Sequence, residues 1–132
     1  MSFADTPPLS VISLFVEDLP AAKTFYTNIF NATIAFEDNQ SCGIRLKNLL
    51  INLLVTTSAG ELVGGQSNVA SPTSGKRFQM TVFVDDVEAD AKLIQDKGVV
   101  LTNGPEIKPW GVKVINFEDP AGHSWEVAQQ MD

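Results

Sequence analysis

Residues 11–19 read VISLFVEDL, and residues 79–87 read QMTVFVDDV. In each, an alternating apolar strand ends in Phe-Val-acid-Asp and runs into an amphipathic helix. The two stretches lie 68 residues apart in a chain of 132. A self-match at half the chain length predicts two halves built alike.

Working outward from the first copy, Val11, Ser13 and Phe15 fall on one face of the strand and Ile12, Leu14 and Val16 on the other. Asp18 is placed as an N-cap with Pro20 in the first turn, so capping accounts for it without a catalytic role. Ala22, Phe25, Tyr26, Ile29 and Phe30 follow the stripe of a helix laid on a sheet, and Asn31 can end it in a left-handed conformation. Three antiparallel strands are expected next, at 32–37, 42–46 and 49–55, with turns at 38–40 and 47–48. In the last of them Leu50, Asn52 and Leu54 share a face. An amide among leucines needs a partner, so Asn52 either braces a neighbouring strand or points into a cavity. Arg45 faces away from the core, as a solvated edge residue or as an anchor for an anion.

Residues 57–76, rich in Gly, Ser, Thr, Asn and Pro, read as a linker that can also act as a lid. The second copy repeats the order: a strand at 77–84, Asp86 as cap, and a helix at 87–97 with Val87, Ala91, Leu93 and Ile94 inward and Gly98 ending it. Strands are expected at 99–102, 112–118 and 124–129. Asp119-Pro120-Ala121-Gly122 is a type I turn. The expected organisation is one domain over 1–132, with one βαβββ unit at 9–56 and another at 77–129.

Composition sets outer limits. With 44% hydrophobic residues and nine basic against sixteen acidic, the chain can bury a real core but has no basic cluster for nucleic acid. Cys42 is alone, so no internal disulfide forms. The N-terminus lacks a secretory pattern and no apolar run spans a bilayer, so a soluble cytoplasmic protein with no membrane partner is expected.

Two βαβββ units, Phe15-Val16-Glu17-Asp18-Leu19 before the Phe25-Tyr26 helix, and Asp119-Pro120-x-Gly122 followed by Glu126 together resemble the vicinal oxygen chelate superfamily. That superfamily includes glyoxalase I, extradiol dioxygenases, fosfomycin-modifying enzymes and bleomycin resistance proteins. The resemblance spans residues 9 to 128. It implies an α+β fold in which the two units form a curved, eight-stranded mixed sheet, a cup with helices outside. It also implies a homodimer as the usual assembly.

Carried over residue by residue, the family's metal positions fall on Val11, Gln79, Asn52 and Glu126, and only Glu126 matches without qualification. Valine has no lone pair and two of the others are neutral amides, a poor set for zinc or iron. The expectation is therefore no cofactor and a degenerate metal site, the alternative being one divalent ion on Gln79, Glu126 and Asn52. The resemblance implies a small-molecule ligand in the cup. Val11, Ser13 and Phe15, with Asn52 and Leu54, would line it from the first unit. Gln79, Thr81 and Phe83, with Ser124, Glu126 and Ala128, would do so from the second. Trp110 borders the mouth, either stacking on a planar ligand or packing its own loop.

Glu126 is the candidate catalytic residue, as a general base. The competing reading is a closed polar knot of Glu126 with Gln79 and Asn52. A Cys42–His123 nucleophile pair has no support in the spacing. The leading expectation is a binding protein resembling bleomycin resistance proteins. The alternatives are a glyoxalase-like lyase or dioxygenase, if the protein is an enzyme, and a structural or partner-binding protein.

Overall fold

Asp18 and Asp86 each turn a strand into a helix, and the units grow from those two corners. The computed structural model describes residues 1–132, which divide into two units, Met1–Ala70 and Ser71–Asp132.

In the first unit, β1 (Val11–Val16) leads into α1 (Leu19–Ile29). Asp18 is extended, and its Oδ1 accepts the Ala21 N–H at 3.1 Å, satisfying one of the helix's orphan donors. Asn31 adopts φ 54° just past the end of α1, the left-handed geometry its short amide tolerates. β2 (Thr33–Glu37), β3 (Ser41–Arg45) and β4 (Leu50–Val55) follow. Asp38 Oδ1 accepts the amides of Gln40 and Ser41 and closes the first hairpin. The strand order is β1-β4-β3-β2, with β1 parallel to β4 and the other pairs antiparallel. Leu14, Val16, Cys42, Ile44, Ile51 and Leu53 are buried on one side of this sheet, where Ala22 and Tyr26 of α1 complete the core. Phe25, Ile29 and Phe30 are only half-buried.

The stretch read as a linker has local structure of its own. α2 (Thr56–Ala59) continues directly from β4, and short 3-10 turns follow at Gly60–Leu62 and Gln66–Asn68. Gln66 Nε2 donates to the Thr56 carbonyl at 2.8 Å, and Asn68 Nδ2 to that of Val63 at 2.9 Å. Gly60 is required here, because a Cβ would lie 2.8 Å from the Gln66 backbone.

The second unit holds β5 (Met80–Phe83), α3 (Val87–Asp96), β6 (Asn103–Lys108), β7 (Val112–Glu118) and β8 (Ser124–Gln130). The order is β5-β8-β7-β6, with β5 parallel to β8. Asp86 Oδ1 accepts the Ala89 N–H at 3.1 Å, and Gln129 Oε1 on β8 accepts that of Val87 at 3.0 Å, so two donors of the α3 N-terminus are satisfied. Gly98, at φ 91°, ends the helix as expected. Trp125, Phe117, Ile115 and Val127 form the core with Met80, Val87, Ala91 and Ile94. The expected tandem βαβββ arrangement is therefore present, its strands hydrogen-bonded as two four-stranded mixed sheets.

Two expectations in this unit fail. The strand expected at 99–102 instead runs Asn103–Lys108, through the Gly104-Pro105 pair that read as loop. β6 is an edge strand, where proline's missing donor is tolerated, and the ladder shifts register between Asn103 and Glu106. Leu93, assigned to the buried stripe of α3, is 53% exposed, because Ala91 and Ile94 already fill the face that meets the sheet.

Candidate functional site

On the face of the second sheet opposite its helix, polar side chains pair across the parallel strands β5 and β8. Gln79 Nε2 donates to Ser124 Oγ at 3.0 Å, and one rung along Thr81 Oγ1 donates to Glu126 Oε1 at 3.0 Å. At the next rung, Phe83 lies beside Ala128. The Glu126 rung continues across the sheet to Asn116 on β7 and Asn103 on β6. Asn103 Nδ2 approaches Asn116 Oδ1 at 3.4 Å, while Asn116 Nδ2 donates to the Trp125 carbonyl at 3.4 Å. One row thus carries a hydroxyl, a carboxylate and two amides from four strands. On the neighbouring rungs of the same face Val112, Val114 and Ala128 form a small apolar cluster.

Asn116 and Asn103 escaped the sequence reading. Asn116 shares a face with Val112 and Val114, the same signal of an amide among aliphatics that singled out Asn52. Asn103 was lost with the misplaced β6. At that edge Lys108 Nζ lies 2.6 Å from Glu106 Oε1, and this hydrogen bond holds the Glu106 carboxyl below the usual carboxylate range. Lys108 Nζ also sits 6.0 Å from the centre of the Trp110 ring. Trp110 and Phe83 are 69% and 66% exposed, unusual for such large apolar side chains.

In the first unit, Val11, Ser13 and Phe15 are register partners of Leu50, Asn52 and Leu54, on the face opposite α1. Asn52 Nδ2 approaches Ser13 Oγ at 3.4 Å, but its Oδ1 is buried with no partner. The next position across the sheet is Gly43, and the Phe36 ring occupies the space a side chain would need there.

The sequence-derived candidates therefore gather by unit: Val11, Ser13, Phe15 and Asn52 on one sheet face, Gln79, Thr81, Phe83 and Glu126 on another, with Trp110 on the turn after β6. Glu126, Gln79 and Asn52 each pair with a hydroxyl on the neighbouring parallel strand of their own sheet, the partner that parallel register places directly opposite.

These donors do not fit a transition metal. No three His, Cys, Asp or Glu side chains come together closely enough to hold an ion. Glu126 is the only carboxylate in its row, and Gln79 offers a single neutral oxygen. His123 serves the turn before β8: Asp119 Oδ1 accepts the amides of Ala121 and His123, and Asp119 Oδ2 lies 2.8 Å from His123 Nδ1. Cys42 is enclosed on the α1 side of its sheet, where burial pushes its thiol up and disfavours the nucleophilic thiolate.

Both units share the βαβββ order and the parallel pairing of first and last strands, and the family model for the Glyoxalase/Bleomycin resistance protein/Dioxygenase superfamily matches residues 9–127. The chain belongs to that superfamily. Among solved superfamily structures, a glyoxalase/bleomycin resistance protein/dioxygenase from Nocardioides is similar at TM-score 0.82 and 19% identity, over 98% of this chain and 91% of that one. A lactoylglutathione lyase from Agrobacterium tumefaciens is similar at TM-score 0.73 and 19% identity, over 93% and 95%. TnmS3, an antibiotic binding protein from Streptomyces sp. CB03234, is similar at TM-score 0.70 and 21% identity, over 94% and 96%. At these identities the likeness speaks for the glyoxalase-type fold alone.

Proposed function

We propose that this superfamily member binds a small organic molecule on the helix-free face of its second sheet, with Glu126 as the polar anchor and no resident metal. One observation carries the reading: the Thr81–Glu126 pair lies in a row of polar side chains on the same face as exposed Phe83, with exposed Trp110 on the turn after β6. An apolar surface with a few convergent polar groups is the usual make-up of a small-ligand site. Glu126 accepts an ammonium or hydroxyl from the ligand, and as the one carboxylate in the row it is the group placed to take a proton as general base. Ser13 and Asn52 offer the first sheet's counterpart, an acceptor oxygen still wanting a donor. The similarity to TnmS3 supports binding as the role. The chain's single, buried thiol suits a cytoplasmic protein, and a homodimer is its expected assembly.

The test is titration with bleomycin, followed by Trp110 fluorescence, in the wild type, Trp110→Phe and Glu126→Gln. Saturable quenching that vanishes in the first variant and weakens about tenfold or more in the second is the expected result. Elemental analysis of the purified protein tests the metal reading: a stoichiometric divalent ion, lost in Glu126→Ala, would overturn the metal-free reading in favour of the metal-dependent lyase or dioxygenase alternative using Gln79, Glu126 and Asn52.

A further inference from the structure

We infer that the cavity beside the end of α1 in the first unit is a separate site for a small organic anion, a carboxylate or phosphate carried on an apolar body. The cavity has a volume of about 470 Å³ and is lined by Phe30, Asn31, Ala32, Thr33, Arg45, Leu46 and Lys47. It exists because Asn31, in its left-handed conformation, swings the chain off α1 into β2, while the hairpin closed by the Leu46 N–H to Leu49 carbonyl bond carries β3 past it. Thr33 and Arg45 are register partners across β2 and β3, which sets a hydroxyl beside a guanidinium.

Charge identifies the ligand. The chain has sixteen acidic and nine basic residues, yet no acidic residue lines this cavity. Of the nine basic residues, Lys23, Lys76, Lys108 and Lys113 are each paired with a glutamate, whereas Arg77 and Lys92, like the two cations here, carry no ion pair; what distinguishes Arg45 and Lys47 is that both line one cavity. Arg45 and Lys47 take part in no ion pair. Two uncompensated cations on one cavity of a chain with net charge -7 make a local positive field that favours an anion. Arg45 supplies a fork that matches a carboxylate or phosphate bidentately, Lys47 a second charge, and Thr33 a hydroxyl donor. Phe30, Ala32 and Leu46 supply apolar surface for the rest of the molecule. An inorganic ion would leave that surface unused, so the inference is to an organic anion.

The experiment is NMR titration of the ¹⁵N-labelled full chain with benzoate, phenyl phosphate and inorganic phosphate in parallel. The expected result is saturable movement of the Thr33, Leu46 and Lys47 amide signals with at least one of the organic anions, the tighter one naming the headgroup. Inorganic phosphate should bind about tenfold more weakly or not at all. Arg45→Gln, whose exposed position leaves the core untouched, should weaken the organic anion about tenfold with the remaining spectrum unchanged. No saturable movement, an affinity unaffected by Arg45→Gln, or equal binding of inorganic phosphate and phenyl phosphate would each overturn the inference. The bleomycin titration reports through Trp110 in the other unit, so the two proposals fail independently.

Discussion

The two units place a hydroxyl residue at the same point, Ser13 on β1 and Thr81 on β5, opposite a polar residue on the parallel neighbour. In the second unit the pair is tight, with Thr81 donating to Glu126 at 3.0 Å and the polar row running on through Asn116 to Asn103. In the first, Ser13 and Asn52 touch at 3.4 Å, Asn52 Oδ1 is left unpartnered, and the row stops at Gly43 beneath Phe36. The same backbone therefore holds a satisfied carboxylate in one copy and an unsatisfied amide in the other. A repeat dictates where a side chain is offered. What it offers depends on single substitutions.

The sharpest way to break this comparison is through the cores. Tyr26 and Ile94 hold equivalent places on α1 and α3, at 0% and 7% exposure. Tyr26→Ala should cost about 4 kcal/mol and Ile94→Ala about 2–3, measured by chemical denaturation. The reverse order would show that the thinner stripe of α3 is the more important one.

Asn52→Leu comes next. Removing an unsatisfied buried acceptor between Leu50 and Leu54 should raise stability by about 1 kcal/mol. A loss of stability would mean that Asn52 Oδ1 has found a partner in solution.

The caps should behave alike, since both accept one helix N–H at 3.1 Å. Asp18→Ala and Asp86→Ala should each cost about 1 kcal/mol. A clearly smaller loss at Asp86 would show that the Gln129 bond to Val87 holds α3 without its cap.

The smallest effect is with acid. The Gln40 and Ser41 amides hold the Asp38 carboxyl below its ordinary value. Its contribution is therefore present above pH 3.8 and fades as pH falls from there through the lower folded value. Asp38→Asn should flatten the stability profile in that window, and an unchanged profile would remove the Asx turn from the account.

Much of this was legible in advance where interactions are short in sequence. Asp18 and Asp86 bond three residues ahead, Asn31 and Gly98 end helices through their own φ, and Asp119 closes a turn onto Gly122. Alternation also separated Ser13 and Asn52 from Leu14 and Leu53. What escaped depended on partners far along the chain. Asn103 lay just outside the strand expected at 99–102, ahead of a Gly104-Pro105 pair that interrupts any local strand pattern, and only the ladder to β7 makes it part of an edge strand. Leu93 fits a helical stripe as well as Ile94 does, until the sheet beneath selects one of them.

The sequence by itself determined the duplicated βαβββ plan, the helix caps and the principal turns. Each is written in residue type at a short or repeated spacing. Only the tertiary structure decided that Glu126 answers to Thr81 and Gln79 to Ser124, that Asn116 and Asn103 extend the row, and that Arg45 and Lys47 share a cavity. Those outcomes turn on register and chain path, which join residues up to 45 positions apart and are settled by packing the whole unit at once.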